Sequence, residues 1–302
     1  MIIGRLAAAA AAVALSLTLL SSCGGAASSP PTTNTSSTTA TRQTMTPGDH
    51  VVNLTVDGHA RSFIVHVPPS PPVANRPLIL VFHGALGTDQ GAVSGTDFEQ
   101  VADQYGEVVA FLQGYANTWN EGAGHTPAEQ AHIDDVAYTA AVIAKIETLV
   151  TFDRQRIVAA GFSNGALMVE DLGCRLAQEL SLIVPVEGEL PVSVSATCAP
   201  ARPISIYEIH ATADGVIPYG GGPFQGVGGG TSVLAAPASV ARWATLEHCS
   251  PTPAVSSPTS GIQLTTYAGC DGGVTVTLRT INGGAHEWGS DIGLLVAKAL
   301  AG

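Results

Sequence analysis

Gly161-Phe162-Ser163-Asn164-Gly165 lies between two runs of different character. Residues 157–160 are continuously apolar, and the stretch from Ala166 onward is amphipathic. A strand that gives way to a helix across five residues must turn sharply. The serine at the apex is then held in a strained backbone conformation at the strand's end. Glycine on either side is what such a turn requires, because a Cβ there would strike the neighbouring strand or helix. The following helix aims its positive N-terminus at the same point and favours a developing negative charge there. The flanking pattern carries the inference more than the pentapeptide does, since glycine is abundant here, at 34 of 302 residues.

The rest of the chain alternates in the same way. Residues 51–56 and 62–67 alternate polar and apolar side chains around Asp57-Gly58, which predicts a β-hairpin. Residues 77–82 are continuously apolar, as in a strand buried on both faces. Helices are predicted over 98–105, over 134–150 with Asp134 as its cap, and over 166–180, 238–247 and 292–300. Further strands are predicted over 108–112, 182–186, 203–209, 263–267 and 274–281. Strands alternating with helices imply an α/β fold: a doubly wound, mostly parallel sheet covered on both faces after an antiparallel start.

In such a sheet functional residues gather at the carboxyl ends of the strands. Ser163 is placed there, Asp214 follows the strand over 203–209, and His286 follows the strand over 274–281. A hydroxyl, a carboxylate and an imidazole at converging strand ends form the set needed to activate a serine nucleophile. Their chain order, Ser then Asp then His, is that of α/β-hydrolases. His83-Gly84-Ala85 follows the strand ending at Phe82. The backbone N–H groups of Ala85 and Asn164 are the expected oxyanion-hole donors.

The segments Leu80-Val81-Phe82-His83-Gly84, Thr118-Trp119-Asn120, Asp134-Asp135-Val136, 161–165, 209–219 followed by Gly220-Gly221-Gly222, and 283–288 resemble the secreted polyhydroxybutyrate depolymerase/feruloyl esterase group. The nearest resemblance is to its actinobacterial lipoprotein esterases, and it covers nearly all of the chain after residue 46. The resemblance implies a serine carboxylesterase of α/β-hydrolase fold without a cofactor, with Ser163 as nucleophile, Asp214 as acid and His286 as base. Ala285, Ala211 and the sequence Glu287-Trp288-Gly289 depart from the group's pattern without removing a catalytic atom.

Other residues have assigned expectations. Trp119 and Trp288 flank the expected cleft and are candidates for substrate contact, a Trp face suiting an aromatic or sugar ring. His83 and His210 are read as structural, and His125 and His132 as solvated. Asp134-Asp135 is read as a helix cap plus a loop hydrogen bond. No H-E-x-x-H, H-x-x-H or C-x-x-C spacing points to a metal. The glycine-rich stretch 220–230 lacks the Lys-Ser/Thr of a phosphate loop and is read as a mobile rim. About fifty residues separate Ser163 from Asp214, too few for a helical lid beside one helix and two strands. An open site of that kind suits an ester on a polymer.

The N-terminus sets the expected compartment. Arg5 precedes an apolar run over 6–20 with the shape of a secretory signal. Leu20-Ser21-Ser22-Cys23 resembles a bacterial lipobox, which implies a signal peptide over 1–22, lipidation of Cys23 and retention on the outer face of the membrane. Residues 23–46 are Ser/Thr/Pro-rich and read as a flexible tether, leaving 47–302 as the catalytic domain. The net charge of −12 argues against nucleic acid. Setting Cys23 aside leaves Cys174, Cys198, Cys249 and Cys270, an even number suited to an oxidising compartment. Three pairings are open to them; Cys174–Cys198 with Cys249–Cys270 is expected because each closes a short loop. The competing reading is a non-catalytic surface-binding lipoprotein on the same fold. An intact Ser/Asp/His set argues against it.

Overall fold

The structure is a computed structural model that describes residues 45–301 other than Pro72, Ala74 and His125. The expected signal peptide, Cys23 and the tether up to residue 44 lie outside the described residues.

The chain opens with strands β1 (Gly48–Val56) and β2 (His59–Val67). They join through Asp57 and Gly58, both at positive φ, the conformation that matches a tight hairpin to the twist of its strands. The remaining elements are β3 (Leu78–Phe82), α1 (Asp89–Gly95), α2 (Phe98–Tyr105), β4 (Val108–Leu112), α3 (Pro127–Gln130), α4 (Asp135–Leu149), β5 (Ile157–Phe162), α5 (Asn164–Arg175), β6 (Leu182–Val186), α6 (Val192–Ser195), β7 (Ser205–Ala211), β8 (Gly222–Gly226), β9 (Gly229–Val233), α7 (Ala236–Leu246), β10 (Ala254–Thr259), β11 (Ile262–Tyr267), β12 (Val276–Ile281) and α8 (Ile292–Ala301).

Among the described residues ten strands form one sheet in the order β1-β2-β4-β3-β5-β6-β7-β12-β11-β10. The six strands from β4 to β12 pair in parallel, and both flanks are antiparallel. Strands β3, β4 and β6 are apolar throughout because both faces are covered. Their two-residue period sends Leu78, Leu80 and Phe82 of β3 toward Tyr138, Ile146 and Met168. Ile79 and Val81 turn to the other face, toward Phe98, Ile292 and Val296.

Several expectations shift. Helix α5 begins at Asn164 and ends at Arg175, short of the expected 180, because Leu176 leaves helical geometry just beyond Cys174, which is bonded to Cys198. Cys249 is bonded to Cys270. The glycine-rich stretch read as a mobile rim is instead the β8–β9 hairpin. Its glycines hid the strand signal, since period-two patterning needs side chains. Strand β10, with the polar sequence Ser256-Ser257-Pro258, is fully exposed at the sheet edge. Proline and polar residues blunt an edge against further pairing, and they also remove the apolar signal of a strand.

The order β4-β3-β5 makes β3 the point where the chain reverses direction of travel across the sheet, and ligands bind at such a point. Register aligns Phe82 with Gly161, Phe162 with Val186 and Ile281 with Ala211. The loops leaving β3, β5, β6, β7 and β12 therefore open at one edge of the sheet.

Candidate active site

Ser163 sits between β5 and α5 at φ 56° and ψ −120°, a conformation few non-glycine residues adopt. The turn is clamped from below, because the Ser163 N–H donates to the Val186 carbonyl at 2.9 Å. Its carbonyl accepts from Ala166 and Leu167, the first hydrogen bonds of α5. The glycines on either side are sterically required. A Cβ on Gly161 would collide with the Gly165 carbonyl, and one on Gly165 with the Phe82 and His83 carbonyls.

The acid and base come from the neighbouring strand ends. His286 Nδ1 lies 2.7 Å from Asp214 Oδ2. The other carboxylate oxygen accepts from the N–H groups of Val216, at 2.7 Å, and Ile217, at 3.0 Å. Burial by itself would raise the Asp214 carboxyl. Hydrogen bonds from His210, His286 and the Val216 N–H outweigh it and hold the group well below the usual carboxylate range. Because Nδ1 faces a carboxylate it carries the proton, which leaves Nε2 of His286 free to accept one. The ring packs on Phe162, centroid to centroid 4.8 Å, which restrains its rotation.

Ala85, Ser163 and Asn164 line one cavity of about 230 Å³, together with the apolar side chains of Leu167, Ile217 and Phe224. The backbone N–H of Asn164 stands in the first turn of α5, where a helix offers no internal acceptor. Its side-chain Oδ1 accepts from the Trp119 N–H at 2.9 Å. The loop carrying Ala85 is pinned by His83, whose Nδ1 donates to the Gly84 carbonyl at 2.8 Å while Nε2 accepts from the Gly114 N–H at 3.0 Å. Burial pushes the His83 imidazole pKa down, in keeping with this neutral tautomer.

Of the two tryptophans expected to contact substrate, Trp119 does not. It is wholly buried and its Nε1–H donates to the His83 carbonyl at 2.7 Å, so it is a strut behind the oxyanion loop. Its indole is apolar but for one donor, and the nearest acceptor belongs to that loop. Trp288 is half-buried and lines a second cavity, about 340 Å³, with Gly84, Ala85, Thr88 and Phe162. Ala85 and the elbow thus separate two cavities, one lined by Ile217 and Phe224 and one by Trp288.

Asp134 caps α4 by accepting from the Ala137 N–H at 2.8 Å. Asp135 takes the Asn120 N–H at 2.8 Å and Arg61 at 2.7 Å. Two residues not singled out in the sequence stand beside the acid: Glu187 and Glu189, buried just after β6. The signal was Glu187-Gly188-Glu189 directly following an apolar strand, an unusual place for two carboxyls. Two groups have metal-binding proximity among the described residues, Asp49/His66/Glu99 and Glu187/Asp214/His286. In the second, Asp214 and His286 already bond to each other.

Comparison with known proteins agrees with this geometry. A family model described as phospholipase/carboxylesterase matches residues 108–223. Feruloyl esterase B of Piromyces equi is 34% identical over 220 residues, covering 70% of this chain and 40% of that protein. The chain has the α/β-hydrolase fold, and the relatives it resembles are named as esterases. A putative esterase, NocK, of Nocardia uniformis subsp. tsuyamanensis is 29% identical over 170 residues, 56% of this hydrolase and 49% of the relative. The chain therefore spans less than half the length of these two curated relatives. The acetyl xylan esterase of Aspergillus awamori superposes with a TM-score of 0.56 at 11% identity, over 78% of this chain and 94% of that one, a likeness of fold.

Proposed function

We propose that this hydrolase is an exported serine carboxylesterase, held at the outer face of the membrane through lipidated Cys23, that cleaves acyl esters through an acyl-enzyme. The observation that carries the reading is the strained Ser163 sharing a cavity with Ala85 and Asn164 while Asp214 holds His286. Ser163 Oγ attacks the ester carbonyl as His286 Nε2 takes its proton. The N–H groups of Ala85 and Asn164 receive the oxyanion. His286 then protonates the leaving alkoxide, and water repeats the cycle to release the acid. The compartment assignment is supported by the two disulfides, which suit an oxidising environment. Residues 1–22 act as the signal peptide, 23–46 as the tether and 47–302 as the catalytic domain in this reading.

For substrate, we infer an ester whose acyl part enters the apolar cavity lined by Leu167, Ile217 and Phe224, and whose alcohol part lies along Trp288. Feruloyl and acetyl esters of polysaccharides fit this division, a flat aromatic or small acyl group on one side and a sugar ring on the other. Relatives named feruloyl esterase B and acetylxylan esterase/xylanase support this choice over a hydroxyalkanoate polymer. The test is hydrolysis of p-nitrophenyl acetate, butyrate and octanoate and of methyl ferulate by the full-length protein beside Ser163→Ala. Activity and fluorophosphonate labelling are expected to vanish together in the variant. A folded protein with neither would leave the surface-binding reading in their place.

A further inference from the structure

His210 is wholly buried, and a backbone carbonyl and three carboxyls surround its ring nitrogens. Nε2 lies 3.1 Å from the Ile217 carbonyl, 3.2 Å from Asp214 Oδ2 and 3.3 Å from Glu187 Oε2. Nδ1 lies 2.8 Å from Glu189 Oε1, at an angle that makes the contact an ion pair and not an aligned hydrogen bond. A neutral imidazole presents one donor and one lone pair, so one of these faces would set a lone pair against a carboxylate. The doubly protonated ring donates on both faces. We propose that His210 is a buried imidazolium that binds the same Asp214 oxygen as His286, positioning the carboxylate and sharing its charge. This inference rests on the esterase reading of Ser163, Asp214 and His286.

The surroundings favour the charged ring on every side. Glu187 and Glu189 approach from the end of β6 and beyond it, Asp214 from the loop after β7, and Glu208 from β7 itself. Tyr219 covers the ring edge-on at 5.7 Å, and its hydroxyl meets Thr280 of β12 at 2.9 Å. Further out, Glu170 is held by Trp243 Nε1–H and Glu208 by the Ser239 hydroxyl. Burial would lower the His210 pKa, but its bonds to Asp214 and Glu189 prevail and push it up to about 10. Burial raises Glu187 to about 8 and Glu208 well above its ordinary range. His210 and Asp214 stand in direct contact within this group, with Glu189 on the other ring nitrogen.

The consequence lies in the proton traffic. When His286 takes the serine proton, Asp214 Oδ2 stands between two imidazolium rings. His210 already draws on its charge, so Asp214 neither accepts a proton itself nor holds the His286 imidazolium as firmly as an isolated carboxylate would. His286 therefore gives its proton to the leaving alkoxide more readily and stays a competent base at lower pH. Without His210 the full Asp214 charge falls on His286, and the acid limb of the pH profile moves upward.

Two measurements on the full-length protein test this. The first is a ¹⁵N-imidazole NMR titration of wild type, which reads His210 whether or not any substrate is turned over. Both ring nitrogens are expected to remain protonated through pH 8; a neutral His210 ring at that pH overturns the proposal. The second is kcat/KM against pH for wild type and His210→Gln with p-nitrophenyl acetate. The acid limb is expected to move up by about one pH unit in the variant, the scale of removing one neighbouring charge. A folded variant whose activity falls while the limb stays in place shows a merely structural histidine and overturns the positioning role. Should His210→Gln fail to fold, the NMR titration decides. Wild type with neither turnover nor Ser163 labelling would defeat the esterase reading separately, since it leaves the ring titration untouched.

Discussion

Trp119 and Ser163 mark the two limits of reading single residues. Ser163 was legible because its constraint is local: the collisions that exclude a Cβ at Gly161 and Gly165 are written as glycines in the pentapeptide itself. Trp119 was not, because the carbonyl that claims its indole belongs to His83, thirty-six positions away in sequence. Asp134 and Asp135 follow the same division, the cap bonding within its own helix and Asp135 reaching across to Arg61. The strut role of Trp119 carries a prediction. Trp119→Phe keeps an aromatic ring but loses part of the indole's volume and its donor to the His83 carbonyl; the unpaired buried acceptor alone costs about 1–3 kcal/mol. Since that carbonyl sits in the loop that presents Ala85, kcat should fall with KM little changed. A KM rise at constant kcat would show that Trp119 reaches substrate after all. At the acid, Asp214→Asn keeps the shape but reverses the hydrogen-bonding preference of His286 Nδ1. A fall in kcat on the order of 10⁴ is expected in p-nitrophenyl ester assays.

Elements were legible where side chains alternate and illegible where they are small. Strand β4 and helix α2 have the bounds expected of them, since apolar period and capping coincide at their ends. The β8–β9 hairpin escaped because five of its ten strand residues are glycine or proline, yet it supplies Phe224 to the wall opposite Ser163. Just before β8, Gly221 is sterically required, since a Cβ there would meet the Leu234–Ala235 peptide. Phe224 is the large apolar side chain on β8, and it lines the cavity at Ser163 together with Gln225. Phe224→Ala should enlarge that cavity with little effect on folding, as the hairpin lies outside the main sheet. The expected result is a raised KM for methyl ferulate and a relative gain for p-nitrophenyl octanoate, with acetate nearly unchanged. A uniform loss across all three would place Phe224 in the hairpin's own stability and not in acyl selection.

At the scale of the whole molecule, the unusual feature is how many carboxyls the fold buries. Glu107, Glu121, Glu170, Glu187, Glu189, Glu208 and Glu247 are all buried, and burial raises each above the ordinary range, Glu107 and Glu247 to about 7, Glu170 and Glu187 to about 8. Sequence alone could not show this, because a glutamate in a strand or helix looks the same whichever face it occupies. The sign of the effect on stability is fixed. A carboxyl whose folded pKa lies above its unfolded value binds more protons when folded between the two values, so raising pH through that window weakens the fold. His210, raised to about 10, acts in the same direction between its unfolded pKa and that value. Asp214 is shifted the opposite way, and its contribution is complete above its unfolded pKa and is lost only as pH falls below that. His83, lowered by burial, works the other way below its unfolded pKa, but the raised carboxyls outnumber it, so between about pH 5 and 8 the folded protein should melt higher at pH 5 than at pH 8. For a domain of this size each kcal/mol moves the midpoint by about 2–4 °C, so a difference of several degrees is expected by differential scanning calorimetry. Glu208→Gln keeps the hydrogen-bonding shape of the neutral acid while removing its titration, and should flatten that slope. A Tm that rises from pH 5 to pH 8 would mean that these carboxyls ionise freely in the folded state. The charge arrangement drawn around His210 would then need five or more buried anions balanced by a single imidazolium, which the packing at the end of β6 does not allow.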